Sequence, residues 1–469
     1  MREARTGFAV WAALVLGGCA TAPDIHRRVQ DEVSAAVRLE AGRAAEPAVE
    51  AESGEPQALE TILADVIRAN HSYRMAVAEG EASEVRRAAA RSLPWPRLVA
   101  EGSLEVPIED GESRTDVTGG LYLRLDLMKA FLHRNAVTAA DVGCAANREL
   151  RRGTALEAAL DFFHRVENLD AALRDAQRSE AALELAVRAS AEADAMFRAG
   201  RSAFDRGWTW ERRRLEKEIE RQRAAAQLDK ARREVARAYG GPAPEAEVLR
   251  QVADHLGRLE AQTEEPEIDL AAILEKSPEV AKAKLDLFLS EMAVLEARLK
   301  RLPGLSLDLG AGDIPIRGES DEEADLVPML KISMPLIDMG DISRGVKQAR
   351  IRAEQSRERM KQAVGNAHEN WQTVRQDLSL AEVSLRAARS FCDSMAKRRD
   401  EIRAFYGSGS ASALDVHETE WLQIEADSLR DRAAHEFRLA LLAARAVRGD
   451  LFDEAMQGEL NAKTGLDSP

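Results

Sequence analysis

Asp415 and Glu418 follow the glycine- and serine-rich break Gly407-Ser408-Gly409-Ser410. Their i, i+3 spacing puts both carboxylates on one face of a helix. At a helix N-terminus an acid caps free amides and meets the positive end of the macrodipole. His417 lies between the two acids, with Glu420 close by. The chain's histidines are scattered and no H-E-x-x-H occurs, so this cluster reads as a solvated helix face rather than a metal site. Cys144 and Cys392 read as small hydrophobes. Gly310-Ala311-Gly312 lacks a third glycine and sits in a strand pattern, so it cradles no phosphate. No nucleophile–base pairing, ATPase motif or proton relay is legible. The expectation is no enzyme, no cofactor and no resident metal.

The remaining chemistry lies at the N-terminus. Arg2 and Arg5 precede the apolar run Phe8 to Leu16, which is too short for a bilayer span of about 20 residues. Leu16-Gly17-Gly18-Cys19 follows. This is the pattern of a secretory signal, and it resembles a bacterial lipobox, in which the cysteine becomes the lipidated first residue. The alternative is an ordinary signal peptide with an incidental cysteine. The lipobox reading implies a Gram-negative envelope lipoprotein. Ala20 in the next position fits the outer membrane, and several acyl chains on Cys19 would anchor it stably. Residues 1–18 are then the signal peptide. Residues 19–58, rich in Ala and Glu, are a tether running down the outside.

The elements that position these residues are written twice. Asn70-His71-Ser72-Tyr73 and Ser277-Pro278-Glu279-Val280 each open a helix that ends at a proline, Pro94/Pro96 and Pro303. The same offset separates Asn70 from Ser277 and Pro96 from Pro303. After each proline the apolar period switches to two. Leu98, Ala100, Gly102 and Leu104 alternate with Glu101, Ser103 and Glu105, and Leu121, Leu123 and Leu125 with Arg124 and Asp126. Leu305, Leu307 and Leu309 alternate with Ser306 and Asp308, and Leu330, Ile332 and Met334 with Lys331 and Ser333. Acidic turns at 109–116 and 317–325 separate the strands. Strands of about ten residues suit a tilted membrane crossing.

Long helices follow each hairpin. Met360, Val364, Ala367, Trp371, Val374, Leu378, Ala381, Leu385, Ala388, Cys392 and Met395 are spaced alternately by four and three. That is a heptad seam, which implies left-handed coiled-coil packing. The first half has a looser version from Leu156 to Val187, on a helix expected from about 135 to 197. Each rod breaks at a glycine, Gly200 before Asp205 and Gly409 before Asp415, and then returns. The division read from the sequence is a first repeat at 59–240 with its hairpin at 97–127. A connecting segment follows at 241–268. The second repeat spans 269–450 with its hairpin at 304–336, and a tail covers 451–469.

Composition agrees with rods rather than a large globule. The chain has 469 residues, 31% charged and only 4% aromatic. Its net charge of -15 repels phosphate backbones, which excludes nucleic acid as a partner. The cysteine count gives no disulfide framework.

Two copies of helix, strand hairpin, long helix, glycine tip and long helix resemble the TolC-like outer membrane factor family. Met334-Pro335-Leu336-Ile337-Asp338-Met339-Gly340-Asp341 looks like that family's turn from strand into long helix, carried by Pro335, Asp338 and Gly340. Gly409 through Leu414-Asp415-Val416 looks like its tip. The first-half counterpart of the turn, Asp126-Leu127-Met128-Lys129, has neither proline nor glycine. The resemblance covers about residues 59–450. It implies a mostly α fold with a small β portion. Duplicated antiparallel helices would form an α-helical barrel, and three chains would share a twelve-stranded outer-membrane β-barrel.

The resemblance also implies roles. Asp415 and Glu418 would line a periplasmic aperture, where in a trimer each would make a ring of three carboxylates that favours cations and raises its own pKa by mutual repulsion. Gly200, Asp205 and Gly409 would meet a periplasmic adaptor, beside their plain task of ending helices. The partners would be two further copies, that adaptor, an inner-membrane transporter and outer-membrane lipid. The expected function is the exit duct of a tripartite efflux pump. The alternatives are the outer-membrane part of type I protein secretion and a non-conducting coiled-coil scaffold lipoprotein.

Overall fold

The helix starts are set by residues at matched places in the two repeats. In a computed structural model, Asn70 accepts a hydrogen bond from the Tyr73 amide (3.2 Å), and Ser277 caps its helix with Pro278 in the first turn. Both are standard ways of satisfying the free amides at a helix start. The structure describes residues 58–92, 97–105, 108–109, 112–113, 116–200, 204–241, 245–261, 270–300, 304–315, 326–333 and 340–452, with 458, 460 and 464. All of them belong to one unit, Pro56–Pro469. Cys19, the 19–57 tether, Pro335 and Asp338 lie outside the described residues.

The elements run α1 (Leu59–Ala69), α2 (His71–Arg91), β1 (Arg97–Glu105), β2 (Ile108–Glu109), β3 (Glu112–Ser113), β4 (Asp116–Asp126), α3 (Leu127–Arg198) and α4 (Phe204–Tyr239). The order continues α5 (Glu245–Ala261), α6 (Leu270–Lys276), α7 (Pro278–Leu299), β5 (Gly304–Pro315), β6 (Leu326–Ser333), α8 (Asp341–Gly407) and α9 (Ala413–Arg448). The protein is mostly α with a small β portion, as its periodicity predicts.

The strands form one antiparallel sheet in the order β1-β4-β5-β6, so the two hairpins join at β4–β5. Arg124 and Asp308 face each other across that junction. The guanidinium donates to both carboxylate oxygens, at 2.9 and 3.0 Å. By register, Leu98, Leu123, Leu307, Leu309, Leu330 and Ile332 share the opposite face. All six are exposed, Leu98 at 72% and Ile332 at 62%. β1 and β6 have no further partner among the described strands.

Below the sheet, α3 packs on α2 and α7 at one end and on α4 and α9 at the other, and α8 packs on α7 and α9. The heptad positions of α8 are buried or half-buried while its flanks are exposed, as knobs-into-holes packing requires. The chain reaches this length by stacking helices end to end. Gly449, which ends α9, lies against Lys276 just before α7, and Gly240, which ends α4, against Ala69 just before α2.

The main core lies at this waist. Ile62, Leu63 and Ile67 of α1, Phe162, Phe163 and Leu169 of α3, Leu256 and Leu259 of α5, and Leu441 and Leu442 of α9 form one buried cluster.

Three features differ from the sequence expectation. α3 begins at Leu127 rather than near 135, so strand passes directly into helix. That explains how the first repeat manages without Pro or Gly at this turn. The 241–268 segment, expected only to connect the halves, carries α5, whose Val248, Val252, Leu256 and Leu259 face the core. His255 beside them is fully buried, stacks on Phe163 at 5.4 Å and meets the Leu451 carbonyl at 3.1 Å. Finally, the 451–469 stretch contributes Leu451 and Leu460 to the core, and Tyr73 donates to the Thr464 carbonyl (3.1 Å).

Phe163 touches both α5 and Phe452. Phe163→Ala is expected to cost about 3–5 kcal/mol, the usual loss for deleting a buried ring. Thermal unfolding followed by circular dichroism measures it, and a loss under about 1 kcal/mol would refute the waist core.

Candidate functional site

Two glycines set the tips of the rods. Gly200 and Gly409 have φ of 69° and 77°, a left-handed conformation that ends a helix and that a side chain would strain. Gly340, at the start of α8, has φ 83°. Asp205 is the second residue of α4. After Gly409, Ser412 and Asp415 form a reciprocal capping box. The Ser412 hydroxyl accepts from the Asp415 amide (3.2 Å), and the Asp415 carboxylate accepts from the Ser412 amide (3.0 Å) and hydroxyl (2.7 Å). The capping alternative for Asp415 is therefore present in the geometry.

Glu418 faces sideways to α4. It takes a two-pronged bond from Arg213, at 2.6 and 3.0 Å. A fork-to-fork pair of this kind is directional as well as charged. The Arg213 guanidinium lies over Trp210 at 4.6 Å and over Trp421 at 4.9 Å. The two indoles meet edge to face at 5.8 Å, and both are buried. Lys217 adds a further cation over Trp421, at 5.1 Å. Leu185, Ala186, Ala189 and Ala193 of α3 and Leu414 of α9 close a small second core around the tryptophans. The alanines let the backbones come close enough for the indoles to span the seam.

Polar bridges tie the other helices into the same tip. His417 on α9 meets Glu192 on α3 (2.8 Å) and, through its other ring nitrogen, Glu420 (3.5 Å). Arg403 on α8 donates to Glu420 (2.7 Å). Burial alone would raise the Glu420 carboxyl, but hydrogen bonds from Arg403 and His417 outweigh it and hold its pKa below the usual value. Further up, Arg178 bridges to Asp431 and Arg438 to Glu167. The buried Glu167 carboxyl would be raised by desolvation. His435 and Arg438 reverse that and lower it.

The structure thus brings Asp415 and Glu418 together at one tip but gives each a partner within the chain. The residues that sequence reasoning missed are Arg213, Trp210, Trp421 and Glu192. A signal existed: in a chain only 4% aromatic, Trp208, Trp210 and Trp421 all sit just past the tips. Their meeting across a seam depends on the pairing of the two repeats, which spacing alone does not give. Among the described residues no group of three His, Cys, Asp or Glu could hold a metal ion, and no helix is long and apolar enough to cross a membrane.

The Arg213–Glu418 pair can be weighed directly. A double-mutant cycle with Arg213→Ala and Glu418→Ala is expected to give a coupling of about 1 kcal/mol, since both groups are partly solvated. Arg213→Ala alone is expected to cost more, because it also strips the cation from two indole faces. Denaturant unfolding of the four proteins checks both statements, and zero coupling would remove the pair from the clamp.

Comparison with known proteins places this geometry. Residues 270–452 match the family model described as outer membrane efflux protein. A sequence comparison with curated proteins finds no match. Solved structures with a similar fold include the CmeC outer membrane channel of Campylobacter jejuni, 14% identical with a TM-score of 0.67, covering 89% of this chain and 94% of that one. VceC of Vibrio cholerae is 15% identical, TM-score 0.66, covering 84% and 97%. The open state of the MtrE outer membrane channel of Neisseria gonorrhoeae is 18% identical, TM-score 0.62, covering 84% and 89%. Residues 270–452 thus resemble the outer membrane efflux protein family, and the chain shares the fold of solved outer membrane channels such as CmeC and MtrE.

Proposed function

We propose that the protein is an outer-membrane efflux channel, and specifically the exit duct of a tripartite pump. The observation that carries this reading is the sheet. One face is apolar and exposed, the other holds Arg124, Asp308 and Lys331, and the β1 and β6 edges lack a partner among the described strands. In lipid an open edge leaves amides and carbonyls without hydrogen bonds, so the sheet must close on further strands. Three copies give four strands each, with the apolar face toward lipid and the charged face toward the pore. The long helices then continue the conduit into the periplasm.

At the far end, the tips of three copies bring Asp415 and Glu418 around the aperture. Gly200, Asp205 and Gly409 present the surface that a periplasmic adaptor meets, and an inner-membrane transporter supplies the energy. Pro335, Asp338 and Gly340 make the turn from strand to rod. Cys19 carries the lipid that tethers residues 19–58 to the outer membrane. Opening splays the tip helices, and the Arg213–Glu418 clamp and its tryptophans are what splaying must break. Conduction is passive. A secretion duct for polypeptides would use the same architecture. A scaffold lipoprotein has no use for an apolar sheet face.

Planar-bilayer recording of the purified full chain tests the reading. Small cation-selective currents are expected, growing several-fold in Asp415→Ala/Glu418→Ala because cap and clamp are both lost. Unchanged currents would remove the two acids from the aperture, and a well-folded protein that never inserts would favour the scaffold. Cys19→Ser is expected to abolish incorporation of labelled palmitate in cells, and labelling that persists would refute lipidation at that residue.

A further inference from the structure

The duplication creates contacts that one copy cannot complete. Aligning Gly200 with Gly409 matches α3 to α8 and α4 to α9, and aligning Asn70 with Ser277 matches α2 to α7. Within the chain the repeats meet at three levels. α3 packs on α9 toward the tip and on α7 toward the sheet, and β4 pairs with β5. Exchanging the repeats turns these seams into α8 on α4, α8 on α2, and β6 on β1. Among the described residues none of these three is a packed pair within the chain.

Matched positions differ in burial as an absent partner requires. On α9, His417, Ser428, Asp431 and His435 reach α3, at Glu192, Arg178 and Glu167. Their counterparts on α4 are Trp208, Ile219, Gln222 and Ala226, all exposed, Trp208 at 64% and Ile219 at 52%. On α3, Ala182, Leu185 and Ala189 are buried, while their counterparts on α8, Phe391, Ser394 and Arg398, are exposed. On α2, Met75, Ala78, Ala82, Val85 and Ala89 follow the three-and-four spacing of a coiled-coil seam, yet all five are exposed. The buried residues of α2, Tyr73, Ala76, Gly80 and Ser83, lie on its other side. On α7 the counterparts of Ala78, Ala82 and Val85 are Leu285, Leu289 and Met292, and these are half-buried.

We propose that a second copy of this chain covers these faces, and that the seam between copies repeats the seam within one. α4 and α2 of one copy receive α8 of the next, as β1 receives β6. The contact is heterologous, since one edge of a copy meets the other edge of its neighbour, and such a contact closes a ring rather than a pair. Its size is adequate. With 36 and 21 residues, α4 and α2 run about 54 Å and about 32 Å at 1.5 Å per residue. A strip of that length and one helix wide, about 10 Å, covers about 850 Å² per copy, close to a standard specific interface. The matched positions also fix a register. Arg178 meets Asp431 within the chain, so Ala387 of one copy lies beside Gln222 of the next. The inference rests on the three-copy reading and adds which surfaces meet.

The experiment uses the full chain in detergent with Gln222→Cys and Ala387→Cys, joined by a short bismaleimide and read on a denaturing gel. Both positions are exposed, whereas Cys144 and Cys392 are buried, and the parent chain is the control. The double variant is expected to give a covalent trimer. Either single variant alone should stay a monomer, and a co-assembled mixture of the two singles should give only a dimer. A second pair of changes tests the same register without a cross-link. Gln222→Asp with Ala387→Arg copies the Asp431–Arg178 pair into the seam between copies. The trimer's dissociation constant is expected to fall about fivefold for each interface, the most that one solvated ion pair supplies. No cross-link in a protein that light scattering shows to be trimeric overturns the interface and leaves the trimer. A graft that gains nothing over its single changes overturns it too, as does a single variant that cross-links to itself. A monomeric protein removes the three-copy reading and the interface with it. A cross-linked trimer without bilayer current keeps the interface and removes conduction instead.

Discussion

Four strands with one apolar face and two edges that lack a partner among the described strands cannot rest in water or in lipid by themselves. Leu98, Leu123, Leu307, Leu309, Leu330 and Ile332 lie on one side of the sheet, and Arg124 is locked to Asp308 on the other. That asymmetry demands an apolar surround on one side and a polar space on the other. The rest of the molecule conforms to it. Each hairpin is carried by long helices, which arrive in pairs because each hairpin has two ends. The duplication supplies two such units, and β4–β5 joins them into one sheet.

The rods solve a different problem. A helix of 72 residues such as α3 has little surface to bury along its length, so it depends on neighbours. Near the sheet those neighbours are α2 and α7, and near the tip they are α4 and α9. The change of partner takes place at the waist, where α4 hands over to α2 and α9 to α7 by end-to-end stacking. This is also where α1, α5 and Leu451 and Leu460 pack their apolar faces. The waist core is thus a splint around the joints, which would otherwise be the weak points of a stacked rod.

At the tips burial gives way to charge. The seam between the repeats is closed there by Arg213 over two indoles, by Glu418, and by the His417–Glu192 bridge. Solvated ion pairs are individually weak, and a seam made of them opens at less cost than a seam of leucines. A rod fastened firmly at the waist and lightly at the tip is one whose tip moves first.

The sequence determined the parts that depend on local pattern. The period of two placed Leu307 and Leu309 on one strand face. The heptad seam placed Leu385 and Cys392 inward, and the glycines at 200 and 409 ended the rods. Turn chemistry, alternation and caps act over a few residues, so they can be read from a few residues. The matched spacing of Asn70 and Ser277 revealed the duplication for the same reason. What only the tertiary structure decided were the contacts between repeats. Arg124 finds Asp308, Arg213 finds Glu418 and Trp421, and His417 finds Glu192 across some two hundred positions of chain. The role of α5 belonged to the same class, because its apolar stripe has meaning only against the waist it packs on. These pairings depend on which helix faces which after two repeats are laid side by side. No local preference encodes that choice. It is set by burying the waist core and joining β4 to β5.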